Sequence, residues 1–148
     1  MQNTIIFSLI IIALGCLLHF TYAWSHQNKF VGMFSATSES VWDHIKIALV
    51  PIYLCFIFDW QSVTAAVLAL ATVAVAIPAI FYFEKLILKR NYLVIDIIIF
   101  CISVFLSQYV YHFSTLTFPD VIAWPIFGII LIGTLLSSSL QTKKSVVK

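Results

Sequence analysis

Side chains that could bind a ligand or carry a proton are concentrated in one short segment of this sequence. Between residues 19 and 46, imidazole, carboxylate, amine, amide and aromatic groups interrupt an otherwise apolar chain: His19, Tyr22, Trp24, Asn28, Glu39, Trp42, Asp43, His44 and Lys46. One further acid, Asp96, stands inside a later apolar run. We predict that these residues form one polar cluster.

Helical spacing divides this cluster into two faces. Residues three and four positions apart are neighbours on a helix, so Glu39, Asp43 and Lys46 share one face. His44 points away from them. Local charge effects at the start of a helix account for the acids, but they do not account for histidine and lysine continuing into the apolar run.

Two interpretations without catalysis fit the cluster. In the first, the polar groups only tie helices together: Lys46 pairs with Asp96 or Asp43, and His19 bonds to a loop carbonyl. The chain is then a structural or accessory membrane subunit. In the second, the cluster binds a small polar solute, an ion or a lipid headgroup, or helps to move it, with its two tryptophans at the rim.

A third interpretation is a membrane-embedded enzyme that uses His19, Glu39, Asp43 and His44 as metal ligands or acid/base groups. The pattern E-x-x-x-D-H lacks the two-histidine helical spacing of H-E-x-x-H, which argues against a metal site. There is also no glycine-rich phosphate loop and no Gly-x-Ser-x-Gly elbow. We therefore favour binding or transport over catalysis, and we predict no cofactor.

The segment LLHFTYAWSHQNKFVGMFSATSESVWDHIK resembles the signature of an uncharacterised family of small bacterial membrane proteins, a domain of unknown function. That signature reads L-H-F-x-Y-x-W-S-x-x-N, then G-x-F-S-A, then N-E-S-V-W-E-H-L-K. The matching positions are His19, Tyr22, Trp24, Ser25, Asn28, Gly32, Ser35, Glu39, Trp42, His44 and Lys46. At its polar positions, the sequence departs at Ser38 and Asp43, where the signature has Asn and Glu. The resemblance implies a membrane protein and no particular activity.

The elements that hold the cluster must lie in a membrane. Of the 148 residues, 62% are hydrophobic and 9% are charged, whereas about 25% of residues in soluble domains are charged. So few charges cannot coat a globule, and lipid must solvate much of the surface. The length leaves room for one domain. Nucleic-acid binding has no signal beyond the short basic tail, so we expect no such partner.

Hydropathy predicts an all-α bundle of five transmembrane helices in a single domain. A bilayer core of about 30 Å needs about 20 apolar residues in a helix. The predicted spans are 5–24, 41–60, 63–83, 92–113 and 121–138. The second span has the shortest uncharged run and requires Lys46 to snorkel to the interface. A polar loop at 25–40 and a basic tail at 141–148 complete the organisation.

Orientation follows from the basic residues. With five spans, every lysine and arginine falls on the side of the 25–40 loop, the 84–91 loop and the C-terminal tail. The positive-inside rule then places the N-terminus outside and the C-terminus in the cytoplasm of a multi-pass cell-membrane protein. If residues 41–60 do not span, the N-terminus moves inside. Expected partners are the lipid bilayer and a membrane-protein partner or a second copy of the chain.

Depth in the membrane connects three ionisable residues. At 1.5 Å per residue, His19 and Lys46 lie about 7 Å inside the ends of their helices, and Asp96 lies about 6 Å inside its own. An ionisable side chain below the interface is costly and usually faces a partner or a cavity. We therefore predict that Lys46 and Asp96 form, directly or through His19, one buried neutral cluster.

The cysteines and the N-terminus give no further site. Cys16, Cys55 and Cys101 all lie in apolar runs, which indicates no disulfide framework. The first apolar run could pass for a secretory signal. However, no positive side chain precedes it, and the run continues to Trp24, so we expect a retained helix.

Overall fold

The computed structural model describes the backbone of residues 2–38, 40–89 and 93–145, and the side chains of these residues except 93 and 135–145. Within these ranges all regular secondary structure is helical, which confirms the predicted all-α class. The elements in chain order are α1 (Gln2–Trp24), α2 (Lys29–Gly32), α3 (Val41–Phe58), α4 (Val63–Leu88), α5 (Leu93–Phe113) and α6 (Asp120–Ser145).

Four helices are long and apolar enough to cross a membrane. They are α1, α3, α4 and residues Val94–Phe113 of α5. Helix α3, which has the shortest apolar run, is among them. Helix α6 contains 26 residues, but the part with described side chains, Asp120–Thr134, is shorter than a span. The membrane class is supported, whereas the count of five and the orientation stay predictions.

Serine caps begin two of the central helices. The Ser40 hydroxyl accepts from the backbone N–H of Asp43 at 3.2 Å, and the Ser62 hydroxyl accepts from that of Ala65 at 3.1 Å. At its other end, α4 runs to Leu88, beyond the predicted end at residue 83. Two charged residues, at positions 84 and 85, continue this helix because neither breaks it.

Helices α3 and α4 form the centre of the bundle. Helix α3 packs against α1 and α4, and α4 also packs against α5 and α6. Small residues permit close approach: Ala65, Ala69 and Ala76 are buried, and the Ser107 hydroxyl of α5 donates to the Ala69 carbonyl at 2.8 Å. Because α1 also packs against α5, the helices α1, α3 and α5 enclose a common space.

The bundle has two ends, which differ in chemistry. At the turn end, which carries residues 59–62, Trp60 stacks on Trp124 with ring centroids 5.9 Å apart. At the loop end, which carries residues 25–40, Trp24 closes α1 and Trp42 begins α3. Tryptophan at both ends of apolar helices is typical of the two membrane interfaces.

Candidate functional site

A buried serine fixes the loop between α1 and α3 to α1. Ser35 is 0% exposed. Its hydroxyl accepts from the Tyr22 backbone N–H and from the Thr21 hydroxyl, each at 2.9 Å, and it donates to the carbonyl of Leu18. The backbone N–H of Ala36 reaches that same carbonyl at 3.3 Å. In this chain Ser35 therefore docks the loop and does not belong to a binding site.

Asp43 and Lys46 form a closed ion pair near the start of α3. Lys46 Nζ lies 2.8 Å from Asp43 Oδ1 and donates to the Gly32 carbonyl at 3.1 Å, and both side chains are 0% exposed. Asp43 Oδ2 accepts from the Ser38 backbone N–H at 2.9 Å, from its hydroxyl at 2.6 Å, and from the Ser40 hydroxyl at 3.3 Å. These contacts join the loop to α3.

The predicted direct pairing of Lys46 with Asp96 is wrong. Both residues are described, and they form no ion pair with each other; Lys46 pairs with Asp43 instead. Asp43 lies one turn away on the same helix, so this pair forms without positioning a second helix. The described contacts of Lys46 therefore lie within α3 and the segment before it, whereas a link from Lys46 to Asp96 through His19 stays a prediction.

Beside the ion pair, a cavity of about 300 Å³ opens between α1, α3 and α5. Each of these helices contributes one ionisable side chain to its lining: His19, His44 and Asp96. The rest of the lining is apolar or small: Gly15, Cys16, Phe20, Ile47, Ile97 and Phe100. The structure thus brings together three of the residues chosen from the sequence, one from each of three helices.

A hydrogen bond fixes the orientation of the His44 ring. Its Nδ1 lies 2.9 Å from the Ser40 carbonyl oxygen. A carbonyl only accepts, so Nδ1 carries the hydrogen, and Nε2 of the neutral ring is an acceptor. The His19 ring lies 5.8 Å from the His44 ring, between centroids, at 37°. Neutral His44 therefore offers a lone pair from the wall of the cavity.

Asp96 is the acid of the cavity. It lies in the first turn of α5, where the positive end of the helix dipole favours a carboxylate. Its Oδ1 atom is buried and has no hydrogen-bond partner among the described residues. A buried polar atom without a partner costs about 1–3 kcal/mol, and more when it is charged. A ligand in the cavity would supply the missing partner.

Gly15 and Phe100 set the close contact between α1 and α5. A Cβ on Gly15 would lie 2.5 Å from Phe100 Cζ and 3.2 Å from the Ile47 carbonyl oxygen. Only glycine leaves room for this approach. His44, Asp96 and Phe100 also line a second void of about 10 Å³ on the side of α4, which is the size of about one water molecule.

Three other predicted site residues do not line the cavity. Trp24 is 65% exposed and stacks on Phe20 with centroids 5.9 Å apart. Trp42 packs against the hydrophobic core. Asn28 caps α2, since its Oδ1 accepts from the Phe30 backbone N–H at 2.9 Å. These residues shape the loop end around the cavity.

The remaining two predicted residues are Tyr22 and Glu39. Tyr22 is half-buried, and its backbone N–H serves the loop contact to Ser35. Glu39 lies outside the described residues. Across the part of the chain that the structure describes, no group of three or more His, Cys, Asp and Glu side chains is arranged to hold a metal ion.

The elements that form the cavity all lie within one matched region of sequence. Residues 1–137 match a family of unknown function, DUF6512. The chain belongs to DUF6512. No curated protein and no solved structure matches it. The DUF6512 match covers the docked loop, the ion pair and the cavity, so all three belong to the region that defines the family.

Several residues of this DUF6512 chain were not found from the sequence. Glu84 is 6% exposed, and neither of its carboxylate oxygens has a hydrogen-bond partner among the described residues. It continues the face of α4 that carries Phe81, a wall residue of the smaller void. The apolar residues 86–88 could have indicated from the sequence that α4 extends past Glu84. Gly15 and Phe100 gave no signal, because their contact depends on how α1 and α5 pack.

At the turn end, a hydrogen-bonded group joins the α3–α4 turn to α5. The Gln61 backbone N–H donates to the Tyr111 hydroxyl at 3.0 Å, and that hydroxyl donates to the Asp59 carbonyl. Gln61 Nε2 also lies 2.6 Å from His112 Nδ1. Asp59 Oδ2 is 3.7 Å from His112 Nε2. This group stabilises the end of the bundle opposite the cavity.

Proposed function

We propose that this DUF6512 chain is a multi-pass membrane protein whose cavity at the loop end binds a small polar solute, an ion or a lipid headgroup and helps to move it. The main support is Asp96: it lines a cavity of about 300 Å³, and its buried Oδ1 has no partner among the described residues. An ionisable side chain in an apolar helix is costly and usually marks a site. Ligand binding would offset that cost.

The proposal divides the polar cluster into a scaffold and a site. Asp43 and Lys46 are the scaffold, because their charges neutralise each other and bond to the loop. His19, His44 and Asp96 are the site. If the whole cluster were purely structural, no described residue would satisfy the hydrogen-bonding capacity of the buried Asp96 oxygen.

Binding is also favoured over catalysis by the surroundings of Asp43. The enzyme interpretation uses this carboxylate as a metal ligand or as a base. Its Oδ1 pairs with Lys46, and its Oδ2 already accepts from Ser38 and Ser40. Both oxygens of this buried carboxylate are therefore already in contact with groups of α3 and its preceding loop.

The proposal includes a five-span topology in the cell membrane, with the N-terminus outside and the C-terminus in the cytoplasm. Helix α6 contains 26 residues, which is about 39 Å of helix and enough to cross a bilayer. All lysines and arginines then fall on the side of the loop end, as the positive-inside rule requires. The cavity would open near the cytoplasmic face, and a membrane partner or a second copy could contact the lipid-facing helices.

Two neighbouring isoleucines provide the test. Ile97 lines the cavity and is 48% exposed, whereas Ile98 is 49% exposed and is not part of the lining. Ile97→Trp should fill the cavity, and Ile98→Trp should add the same ring to the lipid-facing surface. Native mass spectrometry in a mild maltoside detergent, after addition of lipid and metabolite extracts, would record the bound molecules.

We expect wild type and Ile98→Trp to retain the same bound molecule, and we expect Ile97→Trp to lose it. Thermal unfolding of both variants checks that each one folds. If wild type binds nothing, or if Ile97→Trp binds as well as Ile98→Trp, the cavity is not a binding site. This comparison does not depend on the charge of the ligand.

A further inference from the structure

The charges around the cavity indicate the class of its ligand. Lys46 is neutralised by Asp43, and neither residue belongs to the cavity lining. Among the described residues of that lining, Asp96 is the only acid, and none is a lysine or an arginine. Beside the neighbouring void, Lys85 Nζ lies 4.4 Å from the Phe81 ring centroid, and this side chain is exposed. The described part of the lining therefore combines one carboxylic acid with two histidines and no permanently charged cation.

The hydrogen-bonding groups of the cavity lining also favour a positively charged ligand. The Nδ1 hydrogen of His44 is used by the Ser40 carbonyl, so the ring nitrogen left for a ligand is Nε2, which is an acceptor when the ring is neutral. Asp96 Oδ1 is also an acceptor and has no donor among the described residues. Two acceptors, one of them anionic, favour a ligand that brings donors and a positive charge.

The walls favour an organic cation over a bare metal ion. Phe20, Phe100, Ile47 and Ile97 supply most of the remaining lining. Aromatic rings attract ammonium groups and leave space for their methyl or methylene carbons. A metal ion would instead need several oxygen, nitrogen or sulfur ligands, and the described residues offer no cluster of three for it.

One side of the cavity opens at the lateral surface of the bundle. Phe20 is 50% exposed, Ile97 is 48% exposed, and Cys16 is also exposed. In a bilayer this surface of α1 and α5 meets acyl chains. A ligand could therefore keep a hydrocarbon chain in the lipid while its headgroup occupies the cavity.

We propose that the cavity binds the ammonium headgroup of an amphiphile, with the ammonium beside Asp96 and the hydrocarbon chain lying along α1 and α5. This inference rests on the proposed binding function and adds the ligand class and the route of entry. The ammonium would donate to or contact Asp96 and His44, and its carbons would contact Phe20 and Phe100.

Three probes separate charge from hydrocarbon chain. Dodecylammonium carries both features and N–H donors, dodecanol has the chain without the charge, and methylammonium has the charge without the chain. Each would be titrated into the full chain in maltoside detergent, with dodecylammonium kept below its micellar concentration and binding read by native mass spectrometry. A single hydrogen-bonded or ion-paired contact to a charge changes affinity by about tenfold or more.

A matched acid serves as the control for Asp96. Asp96 and Asp120 both lie in the first turn of a helix, but Asp120 is exposed at the turn end. We expect Asp96→Asn to weaken dodecylammonium binding by about tenfold or more and Asp120→Asn to leave it unchanged. Dodecanol and methylammonium should each bind at least about tenfold more weakly than the complete probe.

The outcomes that overturn this inference are distinct from failure of the site itself. If Asp96→Asn binds the complete probe as tightly as wild type, or if dodecanol binds equally well, the ligand is not an ammonium. If methylammonium binds as tightly as the complete probe, the source is a free amine and the membrane route is wrong. In each of these outcomes, Ile97→Trp should still abolish binding of the probe that wild type binds, provided that the cavity is the binding site. Loss of that effect would remove the proposed function as well.

Discussion

Asp43 and Lys46 are one helical turn apart, and their side chains reach each other without any adjustment of the backbone. The pair is fully buried, and the loop carbonyl of Gly32 and the groups of Ser38 complete its hydrogen bonds. Among the described residues of α5, Asp96 has no such arrangement. At the scale of residues, this difference separates a charge that holds the fold from a charge that we propose to be available to a ligand.

A double-mutant cycle tests this separation. Lys46→Met should destabilise the protein by about 3–5 kcal/mol, because it leaves Asp43 charged and buried without its partner. Adding Asp43→Asn should recover much of the loss. Thermal unfolding followed by tryptophan fluorescence in detergent would measure the coupling.

Asp96→Asn provides the matched comparison for that cycle. The effect of Asp96→Asn on the free energy of unfolding should add to that of Lys46→Met with no coupling, because the two residues do not pair. On its own it should leave the ligand-free protein as stable as wild type or more stable, since it removes an unsatisfied carboxylate. Strong coupling between positions 46 and 96 would contradict the assignment of Asp43 as the partner.

The sequence contained enough information to select His19, His44 and Asp96, because histidines and acids in apolar helices stand out against their neighbours. It did not contain enough to choose the partner of Lys46. Two acids were available, and depth alone gave no reason to prefer the one on the same helix. Ser35 was part of the recognised signature, but only the folded loop shows that it binds the backbone of α1.

At the scale of elements, the long apolar runs predicted helices at the observed places, and the errors lie at their ends. Helix α4 continues to Leu88 because two charged residues at the predicted boundary are good helix formers. The short helix α2 (Lys29–Gly32) inside the polar loop was not predicted, since four residues are too few to show a helical period. The position of Gly15 against Phe100 depends on packing between helices distant in sequence.

Tyr111 offers a test of how the turn end is held. Its hydroxyl accepts from the Gln61 backbone N–H at 3.0 Å and donates to the Asp59 carbonyl, so it ties the α3–α4 turn to α5. Tyr111→Phe leaves both backbone groups without this partner, and we expect a loss of about 1–3 kcal/mol. Thermal unfolding in detergent would measure the effect.

Tyr109 is the control for this substitution. It is 58% exposed and stacks on Phe113, and Tyr109→Phe keeps the stacking ring. We expect its unfolding temperature to equal that of wild type. Equal effects of the two tyrosine substitutions would show that the Tyr111 hydroxyl does not hold the turn.

At the scale of the whole molecule, the proposed topology places the loop end in the cytoplasm and the turn end outside. Two exposed residues report on these ends: Phe30 is 69% exposed in α2, and Leu116 is 66% exposed in the α5–α6 loop. In a background without the native cysteines, Phe30→Cys should react with an impermeant maleimide only after cells are permeabilised. Leu116→Cys should react in intact cells.

Labelling of Phe30→Cys in intact cells would place the loop end outside and would remove the five-span topology. The cavity would then open to the exterior, because it lies at the loop end beside α1, α3 and α5. This experiment therefore decides on which side of the membrane the proposed ligand would bind, whereas the identity of the cavity residues does not depend on it.

A high-resolution structure in lipid nanodiscs tests the central claim most directly, because it can show the cavity in contact with lipid and ligand. We predict density between His44 and Phe100, within hydrogen-bonding distance of Asp96 Oδ1, and an ion pair between Asp43 and Lys46 that leaves Asp96 out. An Asp96 carboxylate paired with Lys46, or a collapsed cavity with Asp96 turned toward lipid, would contradict the account.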